Sequence, residues 1–115
     1  MVDCLTVLVV REPASYTARC LEHDIAVQAP TLVGALRDLF GLLRAHIDFD
    51  KRHGRAPLAV FGPAAEFHWN AYIRSTRVNY LQPSDEWGPL PARHVTVSLM
   101  DNSTRIQQLA KALTA

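Results

Sequence analysis

Between Leu5 and Ile47 the chain sets two apolar strand-like runs and a short third one directly before a long amphipathic helix. Few small folds accept that order. Leu5-Thr6-Val7-Leu8-Val9-Val10 is rich in β-branched residues, Arg11 to Ser15 is turn material, and Tyr16-Thr17-Ala18-Arg19-Cys20-Leu21 alternates in polarity, which predicts a hairpin. Ile25-Ala26-Val27-Gln28 predicts a third strand. Thr31 then follows Pro30 as an N-cap, its hydroxyl oxygen free to accept a bond from an unpaired amide of the first helical turn. Leu32, Leu36, Leu39, Phe40, Leu43 and Ile47 recur at three- and four-residue steps, the spacing of one buried helical face. The helix is expected to end near His53, because Lys51, Arg52 and His53 suit the negative end of the helix dipole and Gly54 suits a left-handed residue just beyond it. Gly34 and Gly41 share a face of this helix, and close backbone approach to the sheet or to another subunit is the expected compensation for their low helix propensity.

Pairing Arg11 with Tyr16 across residues 12–15 sets the hairpin register. Leu5, Val7 and Val9 then share a face with Ala18 and Cys20, while Thr6, Leu8 and Val10 share the other with Thr17, Arg19 and Leu21. Both faces carry apolar residues. One is expected to receive the helix, and the other either the C-terminal elements or a partner subunit. Thr6, Leu8, Val10, Thr17, Arg19 and Leu21 are therefore the candidate partner-binding or oligomer surface, and a homo-oligomer is expected.

Downstream, a connector around Pro57 leads to Gly62-Pro63-Ala64-Ala65-Glu66, which opens a second helix with Ala65, Trp69, Tyr72 and Ile73 as its apolar stripe. Residues 82–91 carry three prolines and a glycine and predict a loop. His94 to Leu99 alternates as an edge strand, and Ile106, Leu109, Ala110 and Leu113 mark a short terminal helix capped by Asp101, Asn102 or Ser103. The expectation is one α+β domain over 1–115, a small antiparallel sheet with a β-β-β-α core over 1–54, and an extension over 55–115 that supplies two further helices and a strand. A chain of 115 residues has the size of a single domain.

The formal net charge of +1 creates no global field that would imply nucleic acid. The apolar N-terminal run is too short for a membrane span and lacks a basic leader, so a cytoplasmic location is expected. Cys4 and Cys20 are expected free and buried, as suits a reducing compartment.

At Tyr16 to Ile25, followed by Gln28, Thr31-Leu32 and Ala35-Leu36, the chain resembles the HicB-like antitoxins over about its first fifty residues. That resemblance implies a partial ribonuclease H-like fold, a small messenger-RNA-cleaving toxin as partner, and no catalysis. Departures from the family pattern are Pro30 in place of a glycine before the capping threonine, and Val33-Gly34 in place of paired acidic residues. Val95 to Leu99 with Ile106 to Leu113 resembles the ribbon and first helix of a ribbon-helix-helix, but the chain stops before a second helix, so operator DNA binding is not expected.

Candidate chemistry is sparse. On the hairpin register Asp3 would approach Asp24, Glu22 and His23, a cluster that suggests a Mg²⁺-dependent nuclease, yet the first strand has Val7, Leu8 and Val9 where a ribonuclease H site needs its aspartate. His46, Asp48, Asp50 and His53 read as helix-terminus polarity, His68 and His94 have no nameable partner, and Ser84 and Ser103 suit turns and caps. Arg74 and Arg77 beside the aromatic second helix have the composition of an interaction hot spot. The expectation is a non-catalytic, antitoxin-like protein-binding domain with no cofactor or metal. The alternatives are an orphan relative that self-associates or binds a small ligand, and, third, a metal-dependent nuclease.

Overall fold

The computed structural model describes residues 2–78 and 83–101, and these form a five-stranded mixed sheet with two helices, an α+β fold. The first strand, β1 (Cys4–Arg11), turns through Glu12–Ser15 into β2 (Tyr16–Cys20), with Arg11 opposite Tyr16 and Val7 opposite Cys20. This is the register that polarity alternation required. The third strand, β3 (Ile25–Ala29), pairs antiparallel with β2, and Asp24 reaches that tight reversal in the left-handed region at φ 36°.

Helix α1 (Leu32–Arg52) follows at once. The Thr31 hydroxyl accepts the Gly34 N–H at 3.0 Å, Lys51 and Arg52 occupy the last turn, and Gly54 takes φ +66° just past the end. A methyl group at Gly34 would lie 2.8 Å from the capping hydroxyl, so this glycine serves the cap. Gly41 differs: a Cβ there would meet nothing nearer than the Arg44 guanidinium, and no sheet backbone approaches it. Leu36, Leu39, Phe40 and Leu43 bury against Leu5, Val7, Val9, Ala18 and Cys20, which closes one face of the sheet.

The connector after α1 moves the chain to the other face. The buried Asp50 carboxylate accepts the Leu58 N–H at 2.8 Å and holds Leu58, itself at φ 62°, inside the α1-side core. Phe61 still packs on that core, whereas Ala64 donates its N–H to the Leu21 carbonyl at 2.8 Å and buries with Leu8 and Leu21 on the opposite face. Helix α2 (Glu66–Ile73) therefore lies across the sheet from α1. It covers the second face from within the chain, with Trp69, Ala71 and Tyr72 packed over Leu8 and Leu21. The expected apolar stripe is corrected at two positions, since Ala65 is an exposed N-cap and Ile73 is 76% exposed. Eight residues give barely two turns, too few to bring a full stripe onto the sheet.

Two strands complete the sheet in the order β3-β2-β1-β5-β4. β4 (Thr76–Val78), not anticipated, forms an edge, and β5 (His94–Asp101) lies between β4 and β1. β5 is parallel to β1 over eight residue pairs from Cys4–His94 to Arg11–Asp101, so the sheet is mixed and β5 is an interior strand, not the edge strand expected. Its position is legible in the burial of Val95, Val97 and Ser98. The segment 83–91 is the expected loop, pinned to α1 by Arg44, whose guanidinium donates to the carbonyls of Trp87 and Pro89. The terminal helix expected over Ile106–Leu113 lies outside the described residues.

Cys20 is buried, as expected, but Cys4 is exposed, and both are free thiols. Burial, with the Glu22 carboxylate adding to it, pushes the Cys20 thiol up to about 11, so it is inert near neutrality.

Candidate functional site

The two faces of the sheet are closed unequally. Under α1 the side chains are sealed; under α2, which has no fully buried residue, a cleft of about 490 Å³ remains. Its floor is the sheet. Val10 sits between Thr17 on β2 and Met100 on β5, and Leu8 sits beside Arg19, so two adjacent rows of the second face provide an aliphatic surface with a hydroxyl and a guanidinium along one side. The opposite wall comes from Phe67, His68, Ala71 and Arg74, and the small Ala71 at mid-helix leaves the gap open. Glu12, in the hairpin loop, completes the lining.

The electrostatics of the lining follow from which charges are already paired. Arg19 donates to the Asp24 carboxylate at 2.6 Å. Burial, with the Arg19 guanidinium adding to it and Asp24 opposing, holds the His68 imidazole below its usual range, so at neutral pH it is uncharged. Arg74 uses only its Nε, towards the Asn70 carbonyl at 3.4 Å, and has no carboxylate within ion-pair distance among the described residues. The Glu12 side chain likewise has no partner among them, although its backbone N–H bonds the Ser15 carbonyl.

The six surface residues singled out from the hairpin register divide into three groups. Val10, Thr17 and Arg19 line the cleft. Leu8 lines its deep end but is 1% exposed, and Leu21 is wholly buried, so neither offers area to a partner. Thr6 is occupied, its N–H and hydroxyl both donating to the Glu22 carboxylate at 2.7 Å. That same pairing takes Glu22 out of the imagined acidic cluster, Asp24 turns to Arg19, and Asp3 faces Arg93 at 3.8 Å. No group of three or more His, Cys, Asp or Glu side chains among the described residues is placed to hold a metal ion. Asp50, read as exposed helix-end polarity, is buried and structural, and His46 meets the edge of Phe61.

A second exposed feature adjoins the cleft, where α2 runs into β4. Ile73 and Val78 are solvent-exposed apolar side chains, β4 is exposed at each of its three residues, and Arg77 stacks 5.4 Å above the Tyr72 ring. The nearness of Arg74 and Arg77 to an aromatic helix was visible in the sequence, and of the two it is Arg77 that meets a ring. The sheet edge that β4 forms among the described residues was not visible there, because Thr76-Arg77-Val78 is too short to show a period.

Ser98 lies beneath α2, next to Leu8 in the sheet, and its hydroxyl is buried with no hydrogen-bond partner among the described residues. An unpaired buried hydroxyl costs on the order of 1–3 kcal/mol. Ser98→Ala is expected to leave the fold intact and raise stability by about 1 kcal/mol, read as a higher urea midpoint at unchanged slope. A loss of stability would show that the hydroxyl has a partner.

No helix among the described residues is long and apolar enough to cross a membrane. Comparison of the chain with family models, with curated proteins and with solved structures gives no match.

Proposed function

We propose that this chain is a non-catalytic, antitoxin-like protein-binding domain whose partner is a small messenger-RNA-cleaving toxin. The observation that carries the binding role is the α2–β4 corner. An edge strand among the described residues that carries exposed Val78, with exposed Ile73 just before it and Arg77 stacked on Tyr72, combines strand-addition geometry with hot-spot chemistry. Singly exposed apolar residues are ordinary; Ile73 and Val78, at the end of α2 and in the edge strand that follows it, are a surface suited to being covered. The antitoxin character is supported by the β-β-β-α order over Cys4–Arg52 and by the residues from Tyr16 to Ile25 that carry the resemblance. Two arginines at the corner would meet carboxylates or carbonyl oxygens, so the toxin docks through a segment that is not its basic face. Without a toxin, the same corner brings copies of the chain together as a homo-oligomer.

The test is co-expression with a short basic protein encoded by an adjacent reading frame. A stable co-eluting complex that relieves growth arrest, with relief lost in an Ile73→Ser and Val78→Ser double variant that still melts cooperatively, is the expected outcome. Growth arrest unrelieved by the wild-type chain, or relieved equally by the double variant, would remove the corner from this role.

A further inference from the structure

We propose that the cleft between α2 and the second face of the sheet is a binding site for a small zwitterion with an apolar body, the chemistry of a free apolar amino acid. The inference goes beyond the protein-binding role and does not depend on it, because it rests on the side chains that line the cleft, of which only Arg74 is shared with the α2–β4 corner.

The argument rests on what lines the space and on what is left unpaired. The volume of about 490 Å³ falls in the range of small-molecule sites, and the lining is half apolar and half polar or charged, which suits a ligand that carries both kinds of surface. Val10 and Met100 give a floor for an apolar body, and Phe67 belongs to the α2 wall. Among the charged lining residues Arg19 is committed to Asp24, which leaves one cation, Arg74, and one anion, Glu12, each without a charged partner among the described residues. They belong to different walls: Arg74 caps α2, and Glu12 sits in the β1–β2 turn. A guanidinium recognises a carboxylate through paired N–H donors, and a carboxylate recognises an ammonium, so a ligand carrying both charges satisfies both walls at once. A monoanion would leave Glu12 facing its own charge sign, and a monocation would do the same to Arg74. His68, held neutral by its surroundings, adds a hydrogen-bonding group without changing that balance.

Space is also a matter of sequence. Ala71 occupies the mid-helix position directly over the floor, where a leucine would fill the gap and close the cleft. Because Ala71 already packs on Leu8 and Leu21, the larger side chain extends an existing apolar contact.

Calorimetric titration of the isolated full-length chain tests the proposal. The probes are phenylalanine and 6-aminohexanoate, which carry both charges at short and long spacing, with 3-phenylpropionate and phenethylamine as the singly charged controls. At least one zwitterion is expected to bind about tenfold more tightly than either control. Phenylalanine as the better probe identifies an α-amino acid, and 6-aminohexanoate a ligand with separated charges. Glu12→Gln is expected to reduce the zwitterion to the level of 3-phenylpropionate, Arg74→Gln to reduce it to the level of phenethylamine, and Ala71→Leu to abolish binding of all four while the protein still melts cooperatively. Neither Glu12 nor Arg74 holds another side chain in place among the described residues, so these two variants report on the ligand and not on the fold. Singly charged controls binding as well as the zwitterions, binding undiminished in Ala71→Leu, or no heat from any probe up to about 10 mM would overturn the proposal. Failure here leaves the co-expression result standing, since no partner enters this experiment.

Discussion

A chain ending after Ala92 is expected to lose its cooperative unfolding transition altogether. The reason is the place of β5. It pairs with β1 along eight residues and with β4 along three, and it contributes Val95 and Val97 to the α1-side core. Without it, β1 becomes an edge strand, β4 has nothing to pair with, and Leu5, Val7 and Val9 lose their neighbours along one side. Burial of each valine is worth roughly 1.5–3 kcal/mol, and a domain of this size has about 5–15 kcal/mol in all. The lost ladder hydrogen bonds and newly exposed apolar area together reach that margin. Val97→Asp, which leaves the chain at full length, is the matched variant, because it buries an unpaired carboxylate opposite Val7 and should unfold the same region. Circular dichroism melts and urea titrations decide the matter. A soluble truncated fragment with a sharp transition, from a parent whose sequence-specific DNA binding it has lost, would instead make residues after Ala92 an operator-reading arm.

Local pattern and long-range pairing were not equally legible in the sequence. The hairpin register and the limits of α1 could be read directly, since Arg11 and Tyr16 bracket the turn residues, Thr31 has no competing cap, and Gly54 follows three basic residues. These signals are encoded by neighbours in the chain. The parallel pairing of β5 with β1 is different, because an alternating strand such as Val95-Thr96-Val97 has the same polarity pattern at an edge or in the interior, parallel or antiparallel. The candidate surface shows the same division. Alternation placed Leu8, Val10, Thr17, Arg19 and Leu21 on one face, but which of them α2 covers depends on Ala64 bonding to Leu21, a contact across forty-odd residues. Glu12, His68, Ala71 and Arg74 meet those residues only through that crossing, and no spacing within the sequence could bring them together.

That crossing depends on Asp50, and Asp50→Ala is expected to cost about 3 kcal/mol or more. The carboxylate is buried, accepts the Leu58 N–H at 2.8 Å, and has no cation within ion-pair distance among the described residues. Removing it orphans a buried amide, at roughly 1–3 kcal/mol, and frees Leu58 from a left-handed conformation that a leucine rarely adopts. Once released, Leu58 no longer fills its site under α1, and the transfer and cavity contributions of a buried leucine add to the loss. Asp50→Asn separates the acceptor from the charge. An asparagine keeps a carbonyl oxygen for the Leu58 N–H, so its loss should be less than half that of alanine, and any gain in stability would show that the buried charge is itself a cost. The second reading comes from the far side of the sheet. Because residues 58–64 carry the chain from one face to the other, loosening Leu58 should also increase hydrogen exchange in α2, whereas a small-to-large change at Ala71 should not disturb Leu58. Urea midpoints give the energies, and exchange at the α2 amides gives the coupling. An Asp50→Ala protein within about 1 kcal/mol of wild type, with α2 protection unchanged, would mean that the connector is held by its apolar contacts alone.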